Sequence, residues 1–226
     1  MERAFLDRLR HWFHDVSLKE IRSRDEWECA LRCPSGKSLG QYAWETARSR
    51  QGILMNLFCS NRFREADEVK DLLQCRNLWP RFFVPAPIEK RDGNGDPTTI
   101  DVVIDDTFVQ ASLSEINFTK QRLEVVENYL RFHEVFQDTG LPQHNGSYLN
   151  FRVIRNLLAA SQNNKRHILL GDQKRPDLAE SYLRTVAALK DKAFRSRCRI
   201  VYWQELLRVI DPNLRRFVET RFNLVS

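Results

Sequence analysis

Two carboxylates carry the sharpest chemical pattern in the sequence. Asp101 lies in the β-branched run Thr98 to Ile104, and Glu115 in the run Phe108 to Phe118. Both runs read as strands, joined at the acidic turn Asp105-Asp106. Carboxylates projecting from neighbouring strands can hold a divalent cation, Mg²⁺ or Mn²⁺, against a phosphate. Such a cation lowers the pKa of a bound water and stabilises charge on a pentavalent phosphate. A nearby Lys or Arg assists the phosphate or the attacking water. Glu45, on an earlier helix, is the candidate third acidic ligand by position. On spacing alone, Asp and Glu on a hairpin more commonly face solvent.

The elements that must position these groups follow from periodicity. Phe5, Leu9, Trp12 and Val16 recur at helical spacing, so the first 16 residues read as an amphipathic helix. Residues 40–60 and 63–75 read as two more helices, and the prolines at 80, 85 and 87 make 78–88 extended. Lys90 to Pro97 is a turn or hairpin loop. After the strand pair, 120–137 reads as a helix with Leu123, Val126, Leu130 and Phe136 as its core stripe, and Tyr148 to Ser161 as another. His167 to Gly171 and Arg199 to Trp203 are short strands, with a helix from Pro176 to Leu189 between them. Helices between short buried strands favour an α/β three-layer sandwich with a mixed sheet. An all-α protein with a small hairpin is the second reading.

Composition narrows the class. The 226 residues are 42% hydrophobic and 29% charged, which excludes disordered and low-complexity classes and allows a sizeable core. No apolar run reaches the ~18 residues of a membrane helix, and the charged N-terminus is no secretory signal. Five cysteines form no CxxC pair, and buried, reduced thiols are expected. These features predict a soluble, cytoplasmic protein with no membrane partner. The net charge is +6, and all of the excess lies late: residues 150–226 hold 16 Lys/Arg and 7 Asp/Glu. Lys190, Lys192, Arg195, Arg197 and Arg199 are the densest stretch, which suggests a polyanionic partner; a solvated helix face is the plainer explanation.

Asp101-x13-Glu115-x-Asn117 resembles the Asp…(Asp/Glu)-x-Lys signature of the PD-(D/E)xK, or restriction endonuclease-like, nuclease superfamily. The surroundings are similar to one bacterial branch of it. That branch has a Ser-Ser-Gln helix followed by Asn and Phe; here Ser49-Arg50-Gln51 precedes Asn56 and Phe58. Its Thr-x-x-Asp strand is here Thr98-Thr99-Ile100-Asp101, and its Glu-x-Lys strand end is Glu115-Ile116-Asn117-Phe118-Thr119. Its Tyr-Gln-x-x-Arg-Asn helix is here Phe151-Arg152-Val153-Ile154-Arg155-Asn156. The matches keep their order across roughly residues 45–205.

The resemblance implies one nuclease-like α/β domain over residues 1–226, with 1–40 as an N-terminal helical extension. It implies hydrolysis of DNA phosphodiesters with Mg²⁺ or Mn²⁺ bound by Asp101, Glu115, the Ile116 carbonyl and Glu45. It also suggests a homodimer. Gln51, Arg155, Asn156 and the residues Lys190, Lys192, Arg195 and Arg197 would contact the nucleic acid. Gln51 and Asn56 stand five apart on one helix, so at most one is expected at the site. Two departures matter: Asn117 replaces the motif lysine, and Arg152 replaces the helix glutamine. Either Arg152 or Lys120 compensates for the lost ammonium, or the site has decayed and the protein binds nucleic acid or a partner without cutting.

Overall fold

The computed structural model describes residues 2–32, 44, 49–113 and 115–224, which fall into two compact units. One is built from Phe83–Val201. The other combines Met1–Phe82 with Tyr202–Ser226.

A mixed five-stranded sheet is the frame of the fold. Its strands, in spatial order, are Arg81–Pro85, Thr99–Ile104, Thr107–Ala111, Arg166–Gly171 and Cys198–Tyr202. The fold is therefore α/β, with a mixed central sheet. Thr99–Ile104 and Thr107–Ala111 form a tight antiparallel hairpin, with Val102 opposite Val109 and Ile104 opposite Thr107. The turn is Asp105-Asp106, and Asp105 takes the left-handed conformation (φ 47°) that Asp tolerates better than most residues. Thr107–Ala111 then pairs in parallel with Arg166–Gly171, placing Gln110 opposite Leu169. Arg166 fixes this start by donating to Asp106 Oδ1 from Nε at 2.9 Å and Nη2 at 2.7 Å.

Both faces of the sheet are buried, as a parallel pair requires. Val103, Phe108 and Leu169 join a core cluster with Val153, Ile154 and Leu157 of the helix Phe151–Gln162. Val102, Val109, Ile168 and Leu170 occupy the opposite face and are also buried. The helix Pro176–Ala187 begins with its proline at the first turn, where no amide donor is needed. Asn150, left-handed at the start of the Phe151–Gln162 helix, ties the two helices together by donating to Ser181 O and Thr185 Oγ1.

Several elements differ from the periodicity reading. The second strand ends at Ala111, so Glu115 lies beyond it in an irregular segment. Residues 120–137 are not one helix. Lys120–Arg122 is a strand in a three-stranded sheet with Ser147–Leu149 and Gln143–His144, followed by the short helices Leu123–Glu127 and Phe132–Val135. Leu130 is consequently exposed rather than part of a core stripe. The N-terminal helix stops at Trp12, because His14 begins a second helix, Asp15–Arg22, by accepting from the Val16 amide.

In the other unit, Leu9, Phe13, Leu18, Ile21, Trp27, Leu31, Trp44, Met55 and Cys59 form a core cluster. Its central helix, Arg50–Phe58, is buried all round. Cys59 and Cys75 are buried, whereas Cys29 is exposed.

Candidate active site

The site is assembled on one hairpin and the helix over it. The hairpin register carries Asp101 level with Gln110, so the two side chains share the sheet face that Phe151–Gln162 covers. Arg152 and Asn156 lie one turn apart on that helix and project from one side of it. Asn156 Nδ2 donates to Gln110 Oε1 at 2.8 Å. Arg152 reaches further and makes three bonds. Nη1 donates to Glu115 Oε1 at 2.8 Å; Nη2 donates to Asp101 Oδ2 at 3.0 Å and to the Ala111 carbonyl at 2.8 Å. Two carboxylates and a backbone carbonyl thus converge on one guanidinium.

Each carboxylate is held from behind. The Ala111 amide donates to Asp101 Oδ2 at 2.8 Å. The Ser112 hydroxyl and the Leu113 amide donate to Glu115 Oε2 at 3.0 and 2.6 Å, which folds Glu115 back toward the strand end. Arg175 clamps the same segment, donating to the carbonyls of Glu115 at 2.6 Å and Ile116 at 3.1 Å. Asp177, bonded to Arg175 at 2.7 Å, has its own pKa lowered by that guanidinium. The Asp101, Glu115 and Arg152 side chains are 14%, 22% and 18% exposed, so the ion pairs are partly shielded from water.

This donor chemistry suits a hard divalent cation. All three converging atoms are oxygens, two of them anionic, as Mg²⁺ and Mn²⁺ require. The Arg152 guanidinium stands where these oxygens meet. No group of three His, Cys, Asp or Glu side chains forms a cation cluster among the described residues. The carbonyl of Ala111 therefore matters.

A family model matches residues 6–224, that of the restriction endonuclease associating with ARP. The chain belongs to this restriction endonuclease family. No curated protein and no solved structure matches it.

The site of this family member differs in several ways from the sequence-based expectation. The Ile116 carbonyl is not with the carboxylates: it accepts from Arg175, and Ile116 is 88% exposed. Ala111 supplies the converging carbonyl instead. Asn117 turns away, its Oδ1 accepting from the Thr119 amide at 2.8 Å. Lys120 is exposed on the separate three-stranded sheet, paired with Leu149, because the chain leaves the main sheet after Ala111. Glu45 lies outside the described residues.

Most of the residues expected to touch nucleic acid hold hydrogen bonds or ion pairs within the protein. Arg155 pairs with Asp96 at 3.3 Å. Asp96 also accepts from Thr98 Oγ1 and the Tyr129 hydroxyl, each at 2.8 Å, and burial followed by this bond pushes the Tyr129 pKa up. Gln51 donates to Ala30 O at 2.9 Å, and Asn56 donates to Trp12 O at 2.9 Å and accepts from the His14 amide at 2.8 Å. Both are buried bracing groups of the helical unit, because their helix is enclosed on every side. In the basic stretch, Lys190 donates to His133 O, Arg195 to Leu189 O and Arg197 to Asn164 Oδ1, while Lys192 is exposed.

Gln110, Ala111 and Ser112 were not legible as site residues from the motif. The signal that finds them is the two-residue turn: pairing Ile104 with Thr107 and counting back places residue 110 beside 101. Gln110 stands where a second carboxylate would face Asp101, and its Nε2 is buried without a hydrogen-bond partner.

Proposed function

We propose that this restriction endonuclease-like protein hydrolyses phosphodiester bonds in DNA, using Asp101, Glu115 and the Ala111 carbonyl as a Mg²⁺ or Mn²⁺ site guarded by Arg152. The convergence of three oxygens on one cationic group carries the proposal. When bound there, the cation would supply a water of lowered pKa and a counter-charge for phosphate. Asp101 is fixed for this by the Ala111 amide, and Glu115 by Ser112 and Leu113. Arg152 balances the carboxylates in the cation's absence and, once displaced, orients a phosphate oxygen through its fork. Its permanent charge makes it a poor general base. Exposed Lys190 and Lys192 would attract the DNA backbone.

A second reading is favoured by the Arg152 bridge together with the turned-away Asn117: the carboxylates are already neutralised, and the protein binds DNA without cutting it. Plasmid cleavage separates the two. Wild-type protein should nick supercoiled DNA with Mg²⁺ or Mn²⁺ and not with EDTA, and Asp101→Ala and Glu115→Ala should abolish nicking. Retained DNA binding with no nicking by wild type under either metal would establish the second reading.

A further inference from the structure

We propose that Arg24 and Arg64, braced on Trp27 and Trp79, form a cradle for the phosphates of a nucleic-acid strand. The cradle lies within the helical unit and uses none of the residues of the candidate active site. Its ligand class rests on the DNA reading above.

Two guanidinium groups share two indole rings here. The Arg24 guanidinium lies 4.2 Å from the Trp79 ring centre and 5.0 Å from that of Trp27. Arg64 lies 4.8 Å from Trp79 and 5.2 Å from Trp27. The rings themselves are 5.3 Å apart, tilted by 35°. Trp27 is buried and anchored, its indole N–H donating to Pro80 O at 3.2 Å. Trp79 is 36% exposed, so the cluster opens to solvent through this ring.

The charges do not balance. Glu20 accepts from Arg64 Nη2 at 2.9 Å and is the one carboxylate paired within the cluster among the described residues. Arg24 has no carboxylate partner among them, and the Nε groups of Arg24 and Arg64 are both buried without a hydrogen-bond acceptor. Stacking on indole faces stabilises a guanidinium while leaving its edge donors available. Two like charges held on the same rings, with one counter-charge, make a site that an anion would complete. Fork-shaped donors fit the oxygens of a phosphate. A partly exposed indole beside them offers a stacking surface to an adjoining base, which favours a nucleic-acid strand over a free phosphate.

The test is fluorescence anisotropy of a labelled single-stranded oligonucleotide, titrated with full-length protein in EDTA at several salt concentrations. Arg24 forms no side-chain hydrogen bond among the described residues, so Arg24→Gln should fold normally. It should weaken binding and flatten the slope of log K against log salt by about 0.7 for each phosphate that is no longer neutralised. Arg24→Lys should recover the salt slope, because it restores the charge. The titration is run in EDTA, where no cation-dependent step takes place, so failure of the cation-site reading would leave this result standing. Wild-type affinity and slope in Arg24→Gln would overturn the proposal. So would wild-type protein that takes up inorganic phosphate but does not bind the oligonucleotide.

Discussion

Nη2 of Arg152 donates to Oδ2 of Asp101 at 3.0 Å, and that same carboxylate oxygen accepts from the Ala111 amide at 2.8 Å. Asp101 is therefore fixed by its neighbouring strand and neutralised from the helix above. A cation that enters must compete with a guanidinium that is already well seated.

Arg152→Ala should accordingly raise cation affinity while lowering stability. Without Arg152, Asp101 and Glu115 repel each other in a partly shielded site. The cost should be about 2–3 kcal/mol in EDTA, below that of breaking a fully buried pair. Millimolar Mg²⁺ should restore part of it, since a ligand that binds only the folded state stabilises it. Urea melts with and without Mg²⁺, and Tb³⁺ luminescence for the affinity, check both parts. Equal Tb³⁺ affinity in Arg152→Ala and wild type would show that the guanidinium does not guard the site.

Gln110→Glu should place a second carboxylate beside Asp101. Asn156 Nδ2 already donates to this position, which would help hold the new anion. We expect roughly tenfold tighter Mn²⁺ binding by calorimetry, equivalent to about 1.4 kcal/mol. In EDTA the same substitution should destabilise the protein, because an added charge is buried without a cation.

His167 should make the fold acid-labile. It is fully buried, its Nδ1 lies 2.9 Å from the Tyr182 hydroxyl, and its Nε2 has no hydrogen-bond partner. Burial pushes its pKa down to about 3. The unfolded chain regains a pKa near 6.5, so below that pH it binds a proton that the folded state refuses. Stability is complete above about pH 6.5 and falls as pH drops toward 3. Between about pH 6.5 and 5 the loss should be about 2 kcal/mol from this group. Urea melts of wild type and His167→Gln measure it, and the variant should show a shallower fall.

Gly52→Ala should destabilise the helical unit although alanine favours helices. A Cβ at this position would lie 2.7 Å from Phe222 Cε1 and 3.3 Å from Ser49 Oγ. Phe222 is buried, and Ser49 already accepts from the Gly52 amide at 2.9 Å, so neither yields freely. A cost of about 1–3 kcal/mol is expected from overpacking, read as a lowered urea midpoint.

Local pattern was enough to read the two strands around Asp105-Asp106, the later buried strand, the helix bearing Arg152 and the α/β class. Alternation, turn chemistry and a proline at a helix start are properties of neighbouring residues, so they are readable without a fold. Which groups meet was settled by packing between distant segments. Residues 111–119 carry too little periodicity to say where the strand ends, and that end decides that Glu115 folds back while Lys120 joins another sheet. Arg155 and Arg152 are alike in sequence, three apart on one helix. Packing turns one onto buried Asp96 and the other onto Asp101 and Glu115. The reach of a long side chain is set by what surrounds its tip, and those surroundings come from residues tens of positions away.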